Sequence, residues 1–467
     1  MTTIAKEYSK LNEDIAEFPQ VHPITKGMRR TFEGVSRLVM LDRYAYKDTE
    51  LKTLGVGDTV VLTAKEDPQF PARAVGVVKK LDNGFATIEL EPEFHGLTEA
   101  GDGILIKDVS TLDKPLELYY EQIAKRVAKG LASIENDAIR EKIEVQFEEI
   151  LTTLDFVPAG RVLYGAGSGE EVTYFNCYVM PMPKDSREGI NEHRGEVMGI
   201  MSRGGGVGTN GSTLRPRNAL ARGVNGKSSG SVSWLNDIAN LTNLVQQGGS
   251  RRGAQMIMLA DWHPDIFEFI ISKMQNPKIL RFIAETTGDP DIRKLAQDKL
   301  KFTPLSNDER MVLEAFVNGN DDIDDTSYHN YAQEKLKDGG TYSVHDPEFL
   351  AGANISVAIT KEFMEAVEND AEYELRFPDV DNYDEYDMQA YNSNWHEIGD
   401  VREWPLPVKV HRTVKAKELW NLINICATYA AEPGVFFIDN ANEDTNAAAY
   451  GQKVVATNPL VNVSGRV

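Results

Sequence analysis

The chain has 467 residues, of which 41% are hydrophobic and 26% charged, and its formal net charge is −22. This length is enough for two or three domains, and the acidic surface disfavours nucleic-acid binding because it repels phosphate backbones. The lack of a long apolar run argues against a membrane-spanning segment. The polar N-terminus and the presence of only two cysteines favour a cytoplasmic protein without a disulfide scaffold.

The first 110 residues predict a small β-rich domain. Val56–Leu62 and Ala74–Lys79 have the composition of strands. Asp82, Asn83 and Gly84 then predict a tight turn into Phe85–Leu90, which makes a β-hairpin. A helical segment follows over residues 111–154, where apolar residues recur at spacings of three and four.

From residue 155 onward, short apolar strands alternate with glycine-containing loops and helices, which is typical of an α/β domain. The clearest elements are listed in chain order: strand Phe175–Met180, helix Trp234–Gln246, strand Met256–Ala260 and strand Ile355–Ile359. Two acidic stretches, Asn318–Asn330 and Phe377–Asp400, are predicted to be solvated surface loops. Cys426 lies at helical spacing from Leu422 and is predicted to be a core residue.

Two features could carry chemistry near residue 200. Cys177 lies in the apolar run YFNCYVMPMP, where a buried core cysteine is the simpler interpretation. The run SRGGGVGTN at Ser202–Asn210 could bring its backbone close to a ligand, although a tight turn explains the glycines equally well.

Two cationic loops follow within 40 residues of each other. The loop in Leu214–Ser231 carries four Arg or Lys residues and no acid, and Gln246–Gln255 reads QQGGSRRGAQ. Either could be an exposed basic loop. Because guanidinium groups match phosphate oxygens, the pair also favours one shared anionic ligand such as a nucleotide phosphate.

Taken together and in order, these motifs resemble those of ribonucleotide reductases over residues 30–459. The matching runs are VPAGRVLYGAG at Val157–Gly167, FNCYV at Phe175–Val179, SRGGGVG at Ser202–Gly208, GVNGKSSGSVSW at Gly223–Trp234, QGGSRRGAQM at Gln247–Met256, ANISV at Ala353–Val357, AEPGVFFID at Ala431–Asp439 and ATNP at Ala456–Pro459. The sequences of these motifs are most similar to those of the adenosylcobalamin-dependent class II enzymes. A class I large subunit is the alternative.

The resemblance implies that residues 155–459 form the first half of a ten-stranded α/β barrel. Enzymes of this family convert ribonucleotides to deoxyribonucleotides by thiyl-radical chemistry, and a cysteine pair supplies the electrons. The implied cofactor is adenosylcobalamin, which contains cobalt, and no protein metal ligand is expected. The implied partners are a ribonucleoside di- or triphosphate substrate, dNTP and ATP effectors, a thioredoxin-like reductant and a second copy of the chain in a homodimer.

The resemblance also assigns roles to individual residues. Cys177 matches the first reducing cysteine, and Asn458 matches the asparagine before the radical cysteine at the tip of the finger loop. The residues implied to contact the substrate are Pro158, Ala159, Gly160, Asn176, Arg203, Gly205 and Gly206. Those implied to bind the effector are Asp185, Ser186, Arg215, Gln247, Arg251 and Arg252.

The sequence departs from the family's pattern immediately after Pro459. Leu460 stands where the radical cysteine is expected, and Asn462 stands where a glutamate is expected. Residues 460–467 have no family counterpart. An intron, a split intein, a frameshift or a truncation would each explain the break, and an intein fits less well because Leu460 is not a nucleophile. With an interrupted gene, the C-terminal half is supplied in trans or after splicing. The chain alone is then expected to be inactive. The alternatives are a nucleotide-binding regulatory half or a pseudo-enzyme.

Overall fold

The structure is a computed structural model and describes residues 8–67, 71–99, 101–245, 253–319 and 326–458. The described residues form two compact units, which divide between Asn176 and Cys177. Within the described ranges, no helix is both long and apolar enough to cross a membrane.

The first unit contains a four-stranded antiparallel sheet in the order β2-β3-β4-β5. The elements of this unit are α1 Ser9–Ile15, α2 Gly34–Arg43, β1 Lys47–Asp48, β2 Thr59–Lys65, β3 Ala72–Asp82, β4 Phe85–Leu90, β5 Ile104–Asp108, β6 Lys114–Pro115, α3 Tyr120–Ala132, α4 Asp137–Thr152 and α5 Gly160–Gly165, with 3-10 turns at Pro92–Leu97 and Val109–Thr111. Asp82 pairs with Phe85 across the turn. Asn83 and Gly84 both have positive φ, as the turn requires, so the predicted hairpin is confirmed.

A buried ion pair connects the helices of this unit. Arg126 on α3 is 1% exposed, and its guanidinium donates to both carboxylate oxygens of Glu117 at 2.8 and 3.0 Å. The same guanidinium donates to the carbonyl oxygens of Leu163 and Ala166. Because a buried charge needs such partners, this network holds α5 against α3.

The second unit is built on five parallel strands in the order β17-β14-β11-β8-β7. Its elements are β7 Cys177–Val179, α6 Arg187–Ser202, β8 Gly206–Asn210, β9 Leu220–Ala221, β10 Gly226–Lys227, α7 Ser231–Leu244, β11 Gln255–Ala260, α8 Ile266–Ile271, α9 Pro277–Thr286, α10 Pro290–Lys299, β12 Leu300–Pro304, α11 Asn307–Gly319, α12 Thr326–Asp338, β13 Gly340–Val344, β14 Asn354–Ile359, α13 Lys361–Glu368, β15 Glu372–Pro378, α14 Glu385–Ile398, β16 Val408–Lys415, α15 Ala416–Ala430, β17 Gly434–Phe437 and α16 Ile438–Asp444, with 3-10 turns at Arg222–Val224 and Asn446–Tyr450. The predicted α/β class is therefore confirmed. The complete ten-stranded barrel stays a prediction.

The two faces of the parallel sheet differ in composition. Val207 of β8 points to one face and packs with Val197 and Met201 of α6 and with Ile238 of α7. Side chains alternate along a strand, so Gly206 and Gly208 belong to the opposite face. In-register pairing adds to that opposite face the residues Cys177, Met256, Met258, Asn354, Ser356 and Gly434.

The prediction of a solvated loop at Phe377–Asp400 is wrong. Residues Glu385–Ile398 form α14, in which Tyr391 and Trp395 are 2% and 1% exposed. These two aromatic residues are four positions apart, so they share one helix face, and the acidic neighbours occupy the solvent side. The other acidic stretch is partly helical, because α11 ends at Gly319 and α12 begins at Thr326, and residues 320–325 lie outside the described residues.

The prediction for Cys426 is confirmed. It is fully buried in α15 beside Leu422, and burial raises the pKa of its thiol to about 12. The thiol therefore stays protonated and contributes to the core.

Candidate active and effector sites

Cys177 occupies the start of the edge strand β7 and is half-buried. It pairs with Gly206 of β8 in parallel register. Paired residues of parallel strands point to the same face, so the Cys177 side chain shares its face with Gly206 and Gly208. The backbone of Thr457 covers Gly208 on this face.

The segment that ends at Asn458 crosses the same face. Thr457 donates its backbone N–H to the Sδ atom of Met258 on β11. Asn210 of β8 donates its side-chain amide to the carbonyl oxygen of Val455 at 2.7 Å. The Oδ1 atom of Asn458 is buried and has no hydrogen-bond partner among the described residues. An unsatisfied buried oxygen is costly unless a ligand or water bonds it, so Asn458 has an acceptor available for a ligand.

The glycine run before β8 makes a close turn. Arg203 is the exposed C-cap of α6, and Gly204 has a φ of +87°. A Cβ on Gly205 would lie 2.6 Å from Ile200 and 3.1 Å from the ring of Tyr178. Glycine is therefore required at 205 for the turn to pack against Ile200 and Tyr178. A tight turn thus explains this glycine without a ligand.

The remaining residues assigned to the substrate lie in the first unit. Ala159 is the N-cap of α5 and Gly160 is its first residue, directly after Pro158. Asn176 ends the unit, and its Oδ1 atom is buried without a hydrogen-bond partner in the part of the chain that the structure describes. This is the second amide oxygen that a ligand could satisfy.

Asp185 is contacted by two residues from distant parts of the second unit, Arg215 and Tyr391. Its Oδ2 atom accepts a hydrogen bond from Arg215 Nε at 2.6 Å and another from the Tyr391 hydroxyl at 2.7 Å. Its Oδ1 atom accepts from the backbone N–H of Arg215 at 3.1 Å. Burial, and then the negative charge of Asp185, raises the pKa of Tyr391 well above its ordinary value. The hydroxyl therefore keeps its proton and acts as a donor.

Asp185 and Arg215 line a pocket of about 350 Å³, which we call the Arg215 pocket. Its wall also contains Ser186, which caps α6 by accepting from Gly189 N at 2.9 Å. Three further cations line it, and they are Arg187, Arg222 and Lys227. Four cations face one carboxylate in a chain of net charge −22, so the pocket attracts anions.

The structure thus brings together three of the residues assigned to the effector, Asp185, Ser186 and Arg215. The other three, Gln247, Arg251 and Arg252, lie outside the described residues. The interpretation of residues 214–231 as a cationic loop beside an anion pocket is consistent with this geometry. Arg187 was missed because one arginine at the start of a helix carries no distinctive pattern.

The turn after β11 forms hydrogen bonds with both ends of the loop 217–231, which borders the Arg215 pocket. Asp265 accepts hydrogen bonds from the backbone N–H of Arg217 at 3.0 Å and of Ser231 at 2.9 Å. His263 accepts from Asp265 N at its Nδ1 atom, and its Nε2 atom is 2.9 Å from the carbonyl oxygen of Leu214. Burial lowers the pKa of His263 to about 4, so the ring is neutral and Nε2–H donates. The run DWHPD at 261–265 was the available signal for this contact.

Comparison with known protein families gives two adjacent matches. The family model described as "Ribonucleotide reductase, all-alpha domain" matches residues 102–171. The model described as "Ribonucleotide reductase, barrel domain" matches residues 175–461, which is more than half of the chain.

Curated proteins with similar sequences carry related names. A "Vitamin B12-dependent ribonucleoside-diphosphate reductase" of Thermoplasma acidophilum is 27% identical over 314 residues, which are 67% of this chain and 28% of the relative. A protein of the same name from Mycobacterium tuberculosis is 32% identical over 146 residues, 31% of this chain and 21% of the relative. A "Ribonucleoside-diphosphate reductase large subunit" of Arabidopsis thaliana is 28% identical over 184 residues, 39% of this chain and 21% of the relative. Each match therefore covers less than a third of the relative's length.

Proposed function

The chain belongs to the ribonucleotide reductase family, and we propose that it supplies the first half of the catalytic barrel of an adenosylcobalamin-dependent enzyme that makes deoxyribonucleotides. The observation that carries this proposal is the shared sheet face of Cys177 and the Val455–Asn458 segment. The Cys177 thiol lies on this face, and the segment that crosses it carries the unpaired amide oxygen of Asn458. These are groups that can reduce a ribose and bind its hydroxyls.

In this proposal Cys177 is one of two thiols that reduce the substrate. The carbon–oxygen bond at the 2′ position breaks and the oxygen leaves as water. Of the two thiol hydrogens, one leaves with the hydroxyl group as water and one forms the new bond to the 2′ carbon. The two sulfurs then share one disulfide, which a thioredoxin-like dithiol reduces by exchange. The second thiol belongs to the complementary C-terminal half. In the second unit, Asn458 binds a ribose hydroxyl through its unpaired oxygen, and Arg203 and Gly205–Gly206 belong to the same substrate site. Asn176 and Pro158–Gly160, in the first unit, keep the substrate-binding roles that the family resemblance implies.

The chain alone is proposed to be inactive. Leu460 cannot form a thiyl radical, and the amide of Asn462 cannot act as the carboxylate base. Both residues lie outside the described residues. The complementary half, supplied in trans or after splicing, would provide the cysteine and the glutamate.

The cofactor is proposed from the names of the relatives, several of which are called vitamin B12-dependent. Drug-sized ligands occupy pockets of roughly 300–1,000 Å³. The Arg215 pocket, at about 350 Å³, is too small for a corrin ring with its side arms. We therefore assign no residue of this chain to cobalamin and derive no step through it.

The Arg215 pocket is proposed to bind a deoxynucleoside triphosphate or ATP as an effector. Arginine and lysine side chains pair with phosphate oxygens, and the carboxylate of Asp185 can accept from a ribose hydroxyl. The loop containing Gln247, Arg251 and Arg252 would then contact the base. In a homodimer, the second copy would complete this site.

A nucleotide-binding regulatory half is the second candidate function. The Arg215 pocket favours it, because Asp185, Ser186 and Arg215 lie together there and none of them has a proposed catalytic role. Under this alternative, nucleotides bind but a complementary half never restores turnover.

Reconstitution distinguishes the two functions. Residues 1–459 are joined to a matching C-terminal half that begins with cysteine, one residue and glutamate, and deoxynucleotide formation is measured with adenosylcobalamin and a dithiol. Turnover is expected, and Cys177→Ser should abolish multiple turnover because serine cannot form a disulfide. Cys426→Ala is the matched control and should keep turnover, since that thiol is in the core.

Three results would contradict parts of this proposal. Nucleotide binding without any turnover would favour the regulatory half. Equal activity of Cys177→Ser and the parent would remove Cys177 from the chemistry. Activity that ignores adenosylcobalamin and needs a separate metal-containing subunit would support class I.

A further inference from the structure

The first unit contains a pocket of about 460 Å³ that the proposed function does not use. Most of its wall comes from residues 8–91, which precede both family matches. Four cationic side chains line it, and they are Lys10, Arg30, Arg37 and Lys114. We call it the Arg37 pocket.

The two lysines are neutralised within the unit. Lys114 is 1% exposed, and its Nζ atom is 2.8 Å from both Asp14 and Asp58. Lys10 Nζ is 2.8 Å from Asp14 and 2.9 Å from Asp58. Two ammonium groups thus face two carboxylates, and this end of the pocket has no excess charge.

The two arginines share a single carboxylate. Glu91 accepts from Arg30 Nη2 at 2.6 Å through one oxygen and from Arg37 Nε at 3.2 Å through the other. One positive charge therefore remains uncompensated at this end. Arg37 is only 7% exposed and shares its one carboxylate partner with Arg30, so the pair can accept a further anion. Arg30 is 41% exposed and also lines the pocket.

Apolar and aromatic surface adjoins the guanidinium groups. Arg37 Nη1 donates to the carbonyl oxygen of Leu118 at 2.9 Å, which places it next to Tyr119. The rings of Tyr8 and Tyr119 are 5.7 Å apart and meet edge to face. Leu11 and Val77 also line the wall. A flat apolar group can pack on this surface.

We propose that the Arg37 pocket binds a small organic anion in which one phosphate or carboxylate group is attached to a flat apolar body. The anionic group pairs with Arg30 and Arg37, whose planar guanidinium groups match its oxygens. The body lies against Tyr8, Tyr119 and Leu118. The pocket volume suits one such ligand.

Binding of 1-naphthyl phosphate to the full chain, measured by isothermal titration calorimetry, tests this proposal. Arg30→Gln should weaken binding about tenfold or more, because it removes a charge-assisted contact at an exposed position. Glu91→Gln should tighten binding, because it removes the carboxylate that competes for both arginines. Arg29→Gln is the matched control: it removes the same charge one residue away, outside the lining, and should change nothing.

Further titrations identify the class of ligand and the pocket that binds it. 1-Naphthoate should bind as well, whereas inorganic phosphate should bind much more weakly because it lacks the flat body. Arg215→Gln is measured alongside, since the Arg215 pocket is also cationic. A loss of probe binding in Arg215→Gln but not in Arg30→Gln would overturn the proposal, as would weaker binding in a Glu91→Gln variant with an unchanged melting temperature.

Discussion

The carbonyl oxygen of Thr457 lies 1.9 Å from the point that a Cβ atom on Gly208 would occupy. Glycine at 208 thus allows the segment that carries Asn458 to lie directly on the parallel sheet. Gly208→Ala should displace this segment and lower the free energy of unfolding by about 1–3 kcal/mol, as overpacking does in a close-packed interior. Urea unfolding measures the free energy. Faster hydrogen exchange at the Thr457 amide would report the displacement.

Gly195→Ala is the control for that substitution. Gly195 lies in α6, and no atom is within 4 Å of a Cβ built there. Alanine favours a helix over glycine by up to about 1 kcal/mol, so this variant should be as stable as the parent or more stable. If both variants had the same stability, the close contact at Gly208 would have no energetic importance.

Asp265→Ala should loosen the loop between Arg217 and Ser231. The substitution leaves the backbone N–H groups of both residues without their acceptor, and an unsatisfied buried group costs about 1–3 kcal/mol. Urea unfolding should show that loss. The increase in melting temperature caused by deoxynucleoside triphosphates should also shrink, because the loop borders the Arg215 pocket.

Asp308→Ala is the matched control for Asp265→Ala, since Asp308 is exposed at the start of α11. It should keep both the stability and the nucleotide response of the parent. A full nucleotide response in Asp265→Ala would separate the loop from the effector site.

The sequence predicted the strands and helices best where a hydrophobic pattern or a turn motif is local. The Asp82–Asn83–Gly84 turn and the helix that begins at Ser231 are examples. The helix Glu385–Ile398 was missed, because acidic and asparagine residues dominate its composition and only Tyr391 and Trp395 mark its buried face. Their burial beside Trp262 and Trp404 is a tertiary property, and a local window of sequence does not contain it.

The pKa of Asp261 predicts how stability depends on pH. Burial raises this pKa from 3.8 to about 7, although hydrogen bonds from Thr360 and Tyr373 act in the opposite direction. Between these values the folded chain holds a proton that the unfolded chain has lost. Unfolding therefore releases a proton, and stability falls as the pH rises through this window, by up to about 1.4 kcal/mol per pH unit.

Comparison with Asp261→Asn isolates this effect. The asparagine does not titrate, so the stability of the parent relative to the variant should decrease between about pH 5 and about pH 8 in urea unfolding. Buried histidines such as His263, whose pKa is lowered to about 4, make stability rise with pH. Both proteins contain these histidines, so their contribution cancels in the difference between parent and variant. A constant difference across this range would show that Asp261 does not titrate there.

The proposed effector site was partly predictable for a different reason. Asp185 and Arg215 were assigned through family motifs, and the structure adds their direct contact at 2.6 Å. Tyr391 is more than 200 residues from Asp185 in sequence and lies in the acidic stretch that was interpreted as a loop. Its hydroxyl nevertheless donates to the same carboxylate oxygen as Arg215 does. No local pattern connects residues that meet only when α14 packs in the folded unit.

Tyr391→Phe removes this hydroxyl and keeps the ring, so it tests whether Tyr391 holds Asp185 in place. Loss of one buried hydrogen bond should lower the free energy of unfolding by about 0.5–1.5 kcal/mol in urea. If Asp185 binds the ribose of an effector, the affinity for deoxynucleoside triphosphates should also fall several-fold in calorimetric titration. Tyr386→Phe, on the exposed side of the same helix, should change neither quantity. A destabilised Tyr391→Phe chain with unchanged nucleotide affinity would make Asp185 a structural partner of Arg215 and would exclude it from nucleotide binding.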